Sequence, residues 1–266
     1  MKKGDALPTL PSWALAGQAL TWAPTVYKPQ GSSDYVLYYT ARYTSSGKQC
    51  VSYALSSSPT GPFVDPNTDG PWFCQLSIGG SIDASPFLDT TTGQLYLVWK
   101  NDGNCCNYLV NIWSQPLIAN GTAFVAGSSP TALITNDQAW EANIVEGPSM
   151  IVRSNKYYLF YSANWYASYQ YAVGYATCST PTGPCEKPTY SPIISYYGTV
   201  WGPGGEQPFA DVNGDLWFCY HAWTAPNATY PDGARSLRVD RLNFYNEVPF
   251  IADHVPTTRP VTYNPN

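Results

Sequence analysis

The sequence predicts an all-β chain folded as a β-propeller. Two observations carry that expectation. Strand-like aromatic runs recur between Gly/Pro turns, and no segment shows a convincing helical period. The runs also follow a repeat of about 60 residues, in which Trp22, Asp83, Glu146 and Glu206 each stand just upstream of an aromatic run. Side chains at matching ends of the innermost strands of a propeller converge on its axis, so a recurring carboxylate or large aromatic there points to one shared site.

The elements follow in order. Residues 1–18 read as loop, because Pro8, Pro11 and Gly17 interrupt any period. Tyr35–Thr40 and Cys50–Leu55 are β-rich, and Ser58-Pro59-Thr60-Gly61-Pro62-Phe63 is a turn. The same order returns as Tyr157–Ser162, Tyr171–Ala176 and the turn Ser179-Thr180-Pro181-Thr182-Gly183-Pro184. Gln94–Lys100 and Val110–Ser114 lie between these two copies; Asp215–His221 and Arg235–Leu242 follow the second. Four blades are countable, starting near Trp22, Asp83, Glu146 and Glu206.

Composition narrows the function. The 266 residues suffice for a full core. Charged residues are 12% and aromatics 15%, a balance that suits either stacking on sugar rings or simply a β-rich interior. A net charge of −5 argues against nucleic acid or an anionic membrane as partner. No run of 18 apolar residues is present, so no transmembrane helix is expected. Seven Cys and the acceptors Asn120-Gly121-Thr122 and Asn227-Ala228-Thr229 point to an extracellular, secreted origin. Met1-Lys2-Lys3-Gly4 shows no apolar signal segment, so the expectation is a removed leader or a start inside a longer ancestor. Cys178 and Cys185 flank a turn and can bridge, adjacent Cys105 and Cys106 are not expected to form a routine structural pair, and an odd count leaves one Cys over. No Cys spacing suggests zinc, so no metal site is assigned from the residues.

Several motifs together resemble glycoside hydrolase family 43: Trp22-Ala23-Pro24, Ile82-Asp83-Ala84-Ser85-Pro86-Phe87, Glu146-Gly147-Pro148, the two Pro-Thr-Gly-Pro turns, Gly202-Pro203-Gly204 and Tyr220-His221-Ala222. The resemblance covers residues 5–245. It implies a five-bladed propeller and an inverting β-xylosidase, α-L-arabinofuranosidase or arabinanase acting on xylo- or arabino-oligosaccharides. It makes Glu146 the general acid and Asp83 the carboxylate that tunes and orients it. A general acid must hold its proton near neutral pH, and a neighbouring carboxylate raises its pKa by repulsion. The alternative is that Asp83 caps the Ser85-Pro86 turn and Glu146 merely precedes a Gly-Pro turn.

Trp22, Phe87, Arg235 and His221 are implied as substrate-binding. The resemblance also places a calcium or water site beside His221, with no cofactor required. Against these stand a buried core Trp22, a satisfied core His221 and an exposed strand charge at Arg235. Glu141 and Glu206 are candidate rim contacts, against which stands the favoured reading of solvated loop carboxylates. The family's general-base Asp has no match: one repeat back from Trp22 falls before Met1, and Asp5 does not fit the base motif. The expectation is therefore a single propeller domain over 1–266, truncated at its N-terminus, with 1–18 as the remnant of an incomplete first blade. Such a blade leaves an open edge, giving a monomer or weak self-association. The activity expected is release of terminal xylose or arabinofuranose. The alternative is a sugar-binding propeller that lost its base.

Overall fold

A computed structural model describes residues 4–188, 192–225, 233–251 and 256–257. The chain divides into two compact units, residues 1–135 with 181–183, and residues 136–180 with 184–266. Each unit holds two antiparallel meanders, and in every one the strand order follows the sequence.

Unit 1 opens with a three-stranded sheet: β1 (Thr21–Tyr27), β2 (Tyr35–Arg42) and β3 (Gln49–Ser56). Its second sheet has four strands: β4 (Ser81–Leu88), β5 (Leu95–Asn101), β6 (Asn111–Leu117) and β7 (Thr131–Thr135). Unit 2 holds β8 (Val145–Arg153), β9 (Lys156–Ala163), β10 (Ala172–Cys178) and β11 (Cys185–Glu186). It ends with β12 (Trp201–Ala210), β13 (Leu216–Trp223), β14 (Arg235–Tyr245) and β15 (Val248–Ile251). The all-β expectation and the four blades hold. No fifth sheet is present among the described residues.

The second strand of each sheet is the apolar run that the sequence singles out. In the first three sheets it is buried on both faces, as a continuous hydrophobic run requires, whereas β13 alternates buried and half-buried positions. Tyr38, Leu97 and Phe160 are fully buried examples. Val36, Tyr38 and Val51 pack with Leu95, Leu97 and Trp99, joining the two sheets of unit 1 in one core. Phe160, Val173 and Tyr175 pack with Phe218, Tyr220 and Leu242 to do the same in unit 2.

The first strand of every sheet carries a β-bulge near its start. The register slips between Trp22 and Thr25, Ile82 and Ser85, Glu146 and Ser149, and Gly204 and Gln207. The first inserted residue takes a left-handed φ each time: Ala23 at 47°, Asp83 at 58°, Gly147 at 57° and Gly205 at 62°. A bulge is where a strand tolerates an extra residue and a missing N–H, which accounts for Pro24 and Pro148 at these slips. The repeat marks read from the sequence are therefore offset. Trp22 and Glu146 precede their bulges, Asp83 occupies the first bulge position and Glu206 the second.

Residues 4–18 contain no strand, as expected, yet they are not loosely attached. Trp13 is 3% exposed among Leu37, Tyr39, Ala54 and Phe63. Its indole donates to Asn67 O at 2.8 Å, and Phe63 N donates to Ala6 O at 2.7 Å. Asn227 and the tail after Thr257 lie outside the described residues, whereas Asn120 is exposed. The adjacent Cys105 and Cys106 are joined, contrary to expectation. Their loop turns at a single 3-10 turn, Gly103–Cys105, tight enough to bring neighbouring sulfurs together. Cys178 bonds Cys185 as expected, Cys50 bonds Cys74, and Cys219 is the unpaired one.

Gly61 gives a direct test of how residues 4–18 are held. It sits at φ 80°, and a Cβ there would lie 2.5 Å from Ala6 O, a backbone atom with no rotamer to yield. Gly61→Ala should lower unfolding stability by about 1–3 kcal/mol. In urea denaturation the midpoint falls, and limited proteolysis cuts first within residues 4–18.

Candidate active site

The bulges aim side chains off the ends of the first strands, and the candidate residues gather there. In unit 1, β1 and β4 pack together and carry Trp22 and Asp83. Trp22 is 38% exposed, with its indole nitrogen held by Ala19 O at 2.9 Å. It is a surface aromatic, not the buried core Trp that was its alternative. Asp83 is half-buried in its left-handed conformation, which Asp adopts more readily than most residues. Phe87 is different. It lies beyond the bulge on β4, is 6% exposed and stacks on Tyr96, so its ring is buried and presents little face to a ligand.

Unit 2 brings together a larger group. Glu146, half-buried, stands opposite Ser162 across the β8–β9 pair. Tyr171, at the end of the loop joining β9 to β10, donates its hydroxyl to Glu146 Oε1 at 2.8 Å. The Tyr171 ring stacks on His221, with ring centres 6.0 Å apart and planes 9° from parallel. It lies directly over Gly204, where a Cβ would come within 2.0 Å of the ring. Ser162 donates to Glu206 Oε2 at 2.6 Å and accepts from Gly205 N at 2.8 Å. A Cβ on Gly205 would come within 2.9 Å of His221 Cδ2, whereas one on Gly147 would make only an ordinary 3.8 Å contact with the Gly205 Cα.

Two expectations are corrected here. Glu206 is 3% exposed inside β12, so it is not a solvated loop carboxylate. Glu141 is fully buried, accepting from Tyr161 OH at 2.6 Å and from the backbone of Asp137 and Gln138, with Lys187 Nζ 2.7 Å away. Its role is to anchor the turn before β8. Both were misread because a carboxylate in a Gly-rich or turn-like stretch looks solvated until its partners are known.

His221 and Arg235 meet. Arg235 NH1 lies 3.3 Å from His221 Nε2 and its guanidinium lies over the Trp223 ring. Burial, reinforced by the Arg235 charge, pulls the His221 pKa down to about 4. The ring is therefore neutral at ordinary pH, with Nε2 facing the Arg235 guanidinium. Among the described residues no group of three or more His, Cys, Asp or Glu is placed to hold a metal ion.

The sequence model of glycosyl hydrolases family 43 matches residues 2–249. The chain belongs to this family. It is 26% identical over 266 aligned residues to a probable arabinan endo-1,5-alpha-L-arabinosidase A of Neosartorya fischeri, covering 93% of this chain and 78% of that protein. Arabinan endo-1,5-alpha-L-arabinosidase A of Aspergillus niger is 27% identical over 238 residues, covering 82% and 69%. A solved thermostable family-43 glycoside hydrolase superposes with a TM-score of 0.76 at 30% identity, over 91% of this chain and 78% of that one. A structure described as an endo-1,4-beta-xylanase from Bacteroides thetaiotaomicron gives 0.77 at 28% identity, over 94% and 80%.

Within this family-43 chain, Tyr171, Ser162 and Lys100 are the site neighbours that sequence reasoning passed over. A usable signal was present for two of them. Each second strand has an aromatic followed by a polar residue inside an apolar run: Tyr39-Thr40, Trp99-Lys100, Tyr161-Ser162 and Tyr220-His221. The register puts Thr40 opposite Trp22, Lys100 opposite Ile82, Ser162 opposite Glu146 and His221 opposite Gly204. Lys100 is 1% exposed, with Asp102 Oδ1 4.0 Å from its ammonium. A buried charge of this kind is retained only with compensation. Tyr171 had no such signal, since it ends an irregular loop.

Two measurements follow. In the left-handed region glycine carries no Cβ penalty, so Asp83→Gly should be more stable than Asp83→Ala by about 1 kcal/mol, read from their chemical denaturation midpoints. The depressed His221 pKa means that unfolding takes up a proton between the unfolded value, 6.5, and about 4. Its stabilising contribution is complete above that window and declines as pH falls through it. His221→Gln should flatten this part of the stability–pH curve, measured by thermal melts in a buffer series.

Proposed function

We propose that this chain hydrolyses α-L-arabinofuranosyl linkages of arabinan and its oligosaccharides, with Glu146 as general acid. The observation that carries the reading is the Glu146–Tyr171 bond at the bulge of β8 in a family-43 chain. The curated relatives named arabinan endo-1,5-alpha-L-arabinosidases favour arabinan over the β-xyloside expected beside it from the motifs. Xylan stands as the second substrate class because of the similar structure described as a xylanase.

The chemistry follows from the atoms. Tyr171 donates to Oε1 of Glu146 and so orients the carboxyl that gives up the acidic proton. That proton goes to the glycosidic oxygen as the C–O bond breaks and charge develops on the sugar. The carboxylate that results keeps the Tyr171 bond, now charge-assisted and stronger. Ser162, Glu206 and Gly205 hold the β8 and β12 bulges in register behind Glu146. Within the same unit the His221–Arg235 pair borders Tyr171; a tuning role for Asp83 and a sugar contact for Trp22 are what the family motifs imply. Inversion also needs a carboxylate to activate water, about 6.5–9.5 Å from the acid. Glu206 accepts from Ser162 and is assigned a positioning role instead. The second reading is a sugar-binding propeller with weak turnover, since loss of a general base costs about 10²–10⁴ in rate. The three disulfides support an extracellular location.

Reducing-end release from linear 1,5-α-arabinan, with xylan alongside, tests this. Glu146→Gln should lose about 10²–10⁴-fold in kcat with its fold intact. Tyr171→Phe should lose less. A Glu146→Gln enzyme as active as the parent rules out the assignment. A parent that binds arabino-oligosaccharides without cleaving them supports the binding reading.

A further inference from the structure

The loop that delivers Tyr171 to Glu146 also presents a row of exposed aromatics. Residues 164–171 leave the end of β9, where Glu146 faces Ser162, and return at Tyr171. Trp165 is 51% exposed and Tyr169 50%. Beside them, the segment leading into β12 exposes Tyr196 by 43% and Tyr197 by 47%. Tyr196 stacks on Trp201 with ring centres 4.3 Å apart and meets Tyr169 edge-on at 6.1 Å. Large aromatics left this open on a folded surface need a reason, because burying them is otherwise the favourable course.

The row is held rigidly. Trp223 Nε1 donates to Tyr166 O at 2.7 Å, and Asn164 Nδ2 donates to Trp140 O at 3.0 Å. Gly202 presses on the loop so closely that a Cβ would come within 2.1 Å of Ser168 O. Tyr171, the last residue of the loop, is itself fixed on Glu146. The surface is thus set before any ligand arrives, which lowers the ordering cost of binding. Its charge is also informative. Residues 164–171 and 195–201 contain no charged side chain, only aromatics, small residues and neutral hydrogen-bonding groups. The matching ligand is neutral, with flat apolar faces and a rim of hydroxyls. A glycan chain has that chemistry, while nucleic acid, anionic lipid and charged peptide do not.

We propose that Trp165, Tyr169, Tyr196 and Trp201 form a glycan-binding subsite that holds further arabinofuranosyl units of the substrate chain beyond those at Glu146. The inference rests on Glu146 marking the reactive centre. It adds where the remainder of the chain lies and makes binding depend on chain length.

The test uses the full chain with Glu146→Gln, so that ligand survives, and titrates arabino-oligosaccharides of increasing length by calorimetry. Affinity should rise with length and then level off. Adding Trp165→Ala or Tyr169→Ala should remove the rise, weakening the longest ligand about tenfold while the shortest is unaffected. In the active background, the same two substitutions should raise KM for long arabino-oligosaccharides and leave hydrolysis of a nitrophenyl arabinofuranoside unchanged. Melting temperatures close to the parent's confirm that the loop survives. Equal affinity of parent and variants for every length overturns the proposal, as does a length effect confined to xylo-oligosaccharides. Loss of self-association in the variants with glycan binding intact also overturns it, assigning the row to a second copy of the chain. Failure of the Glu146 assignment would register separately, as undiminished activity of Glu146→Gln alone.

Discussion

One extra residue at the start of each first strand governs the functional end of this protein. The bulge forces a left-handed backbone at Ala23, Asp83, Gly147 and Gly205, and it turns the flanking side chains off the strand end. A regular strand would alternate them between faces and bury half in the core. At Gly205 the inserted residue is glycine and leaves room for the His221 ring, which a Cβ would meet at 2.9 Å. At Asp83 it is a side chain with chemistry to perform. Strain and function thus occupy the same position of the repeat.

The second strands supply the rigidity against which the bulges work. The aromatic opposite each bulge is buried and anchored by its polar tip to a group from elsewhere in its own unit. Tyr39 bonds Asp65, Trp99 bonds Gln75, Tyr161 bonds Glu141 and Tyr220 bonds Asp240. Burial, followed by those carboxylate partners, pushes the three tyrosine pKa values upward, so the hydroxyls remain protonated donors across the useful pH range. With the aromatic fixed, the next residue has a set direction. This is how Ser162 comes to face Glu146 and how His221 comes to lie beneath Tyr171.

Most of the architecture was legible because apolar runs and Gly/Pro turns recur in order. The acid motif and the aromatic Trp22 were legible for the same reason: they lie beside a repeated feature. Even steps between conspicuous residues nevertheless suggested one shared position for Trp22, Asp83, Glu146 and Glu206. The bulges separate these into three positions, a shift of one or two residues that spacing of about 60 cannot resolve. Glu141 and Glu206 were misjudged because burial of a carboxylate depends on partners far along the chain, Lys187 and Ser162. Tyr171 depends on how an irregular loop closes, which no local pattern encodes.

The disulfides are all short-range, joining cysteines 24, 1 and 7 residues apart. Loop entropy depends only weakly on length, so the two longer bridges still stabilise by roughly 2–3 kcal/mol each, and their short range also bears on assembly order. Each can close as soon as its own stretch has emerged during synthesis, without waiting for distant sequence, and domains of this size commonly form from the N-terminus onward. The leftover thiol, Cys219, belongs to the last sheet to appear, and burial raises its pKa and suppresses the reactive thiolate. Oxidative maturation can therefore proceed sheet by sheet, with its one potential source of disulfide shuffling arriving late and already muted.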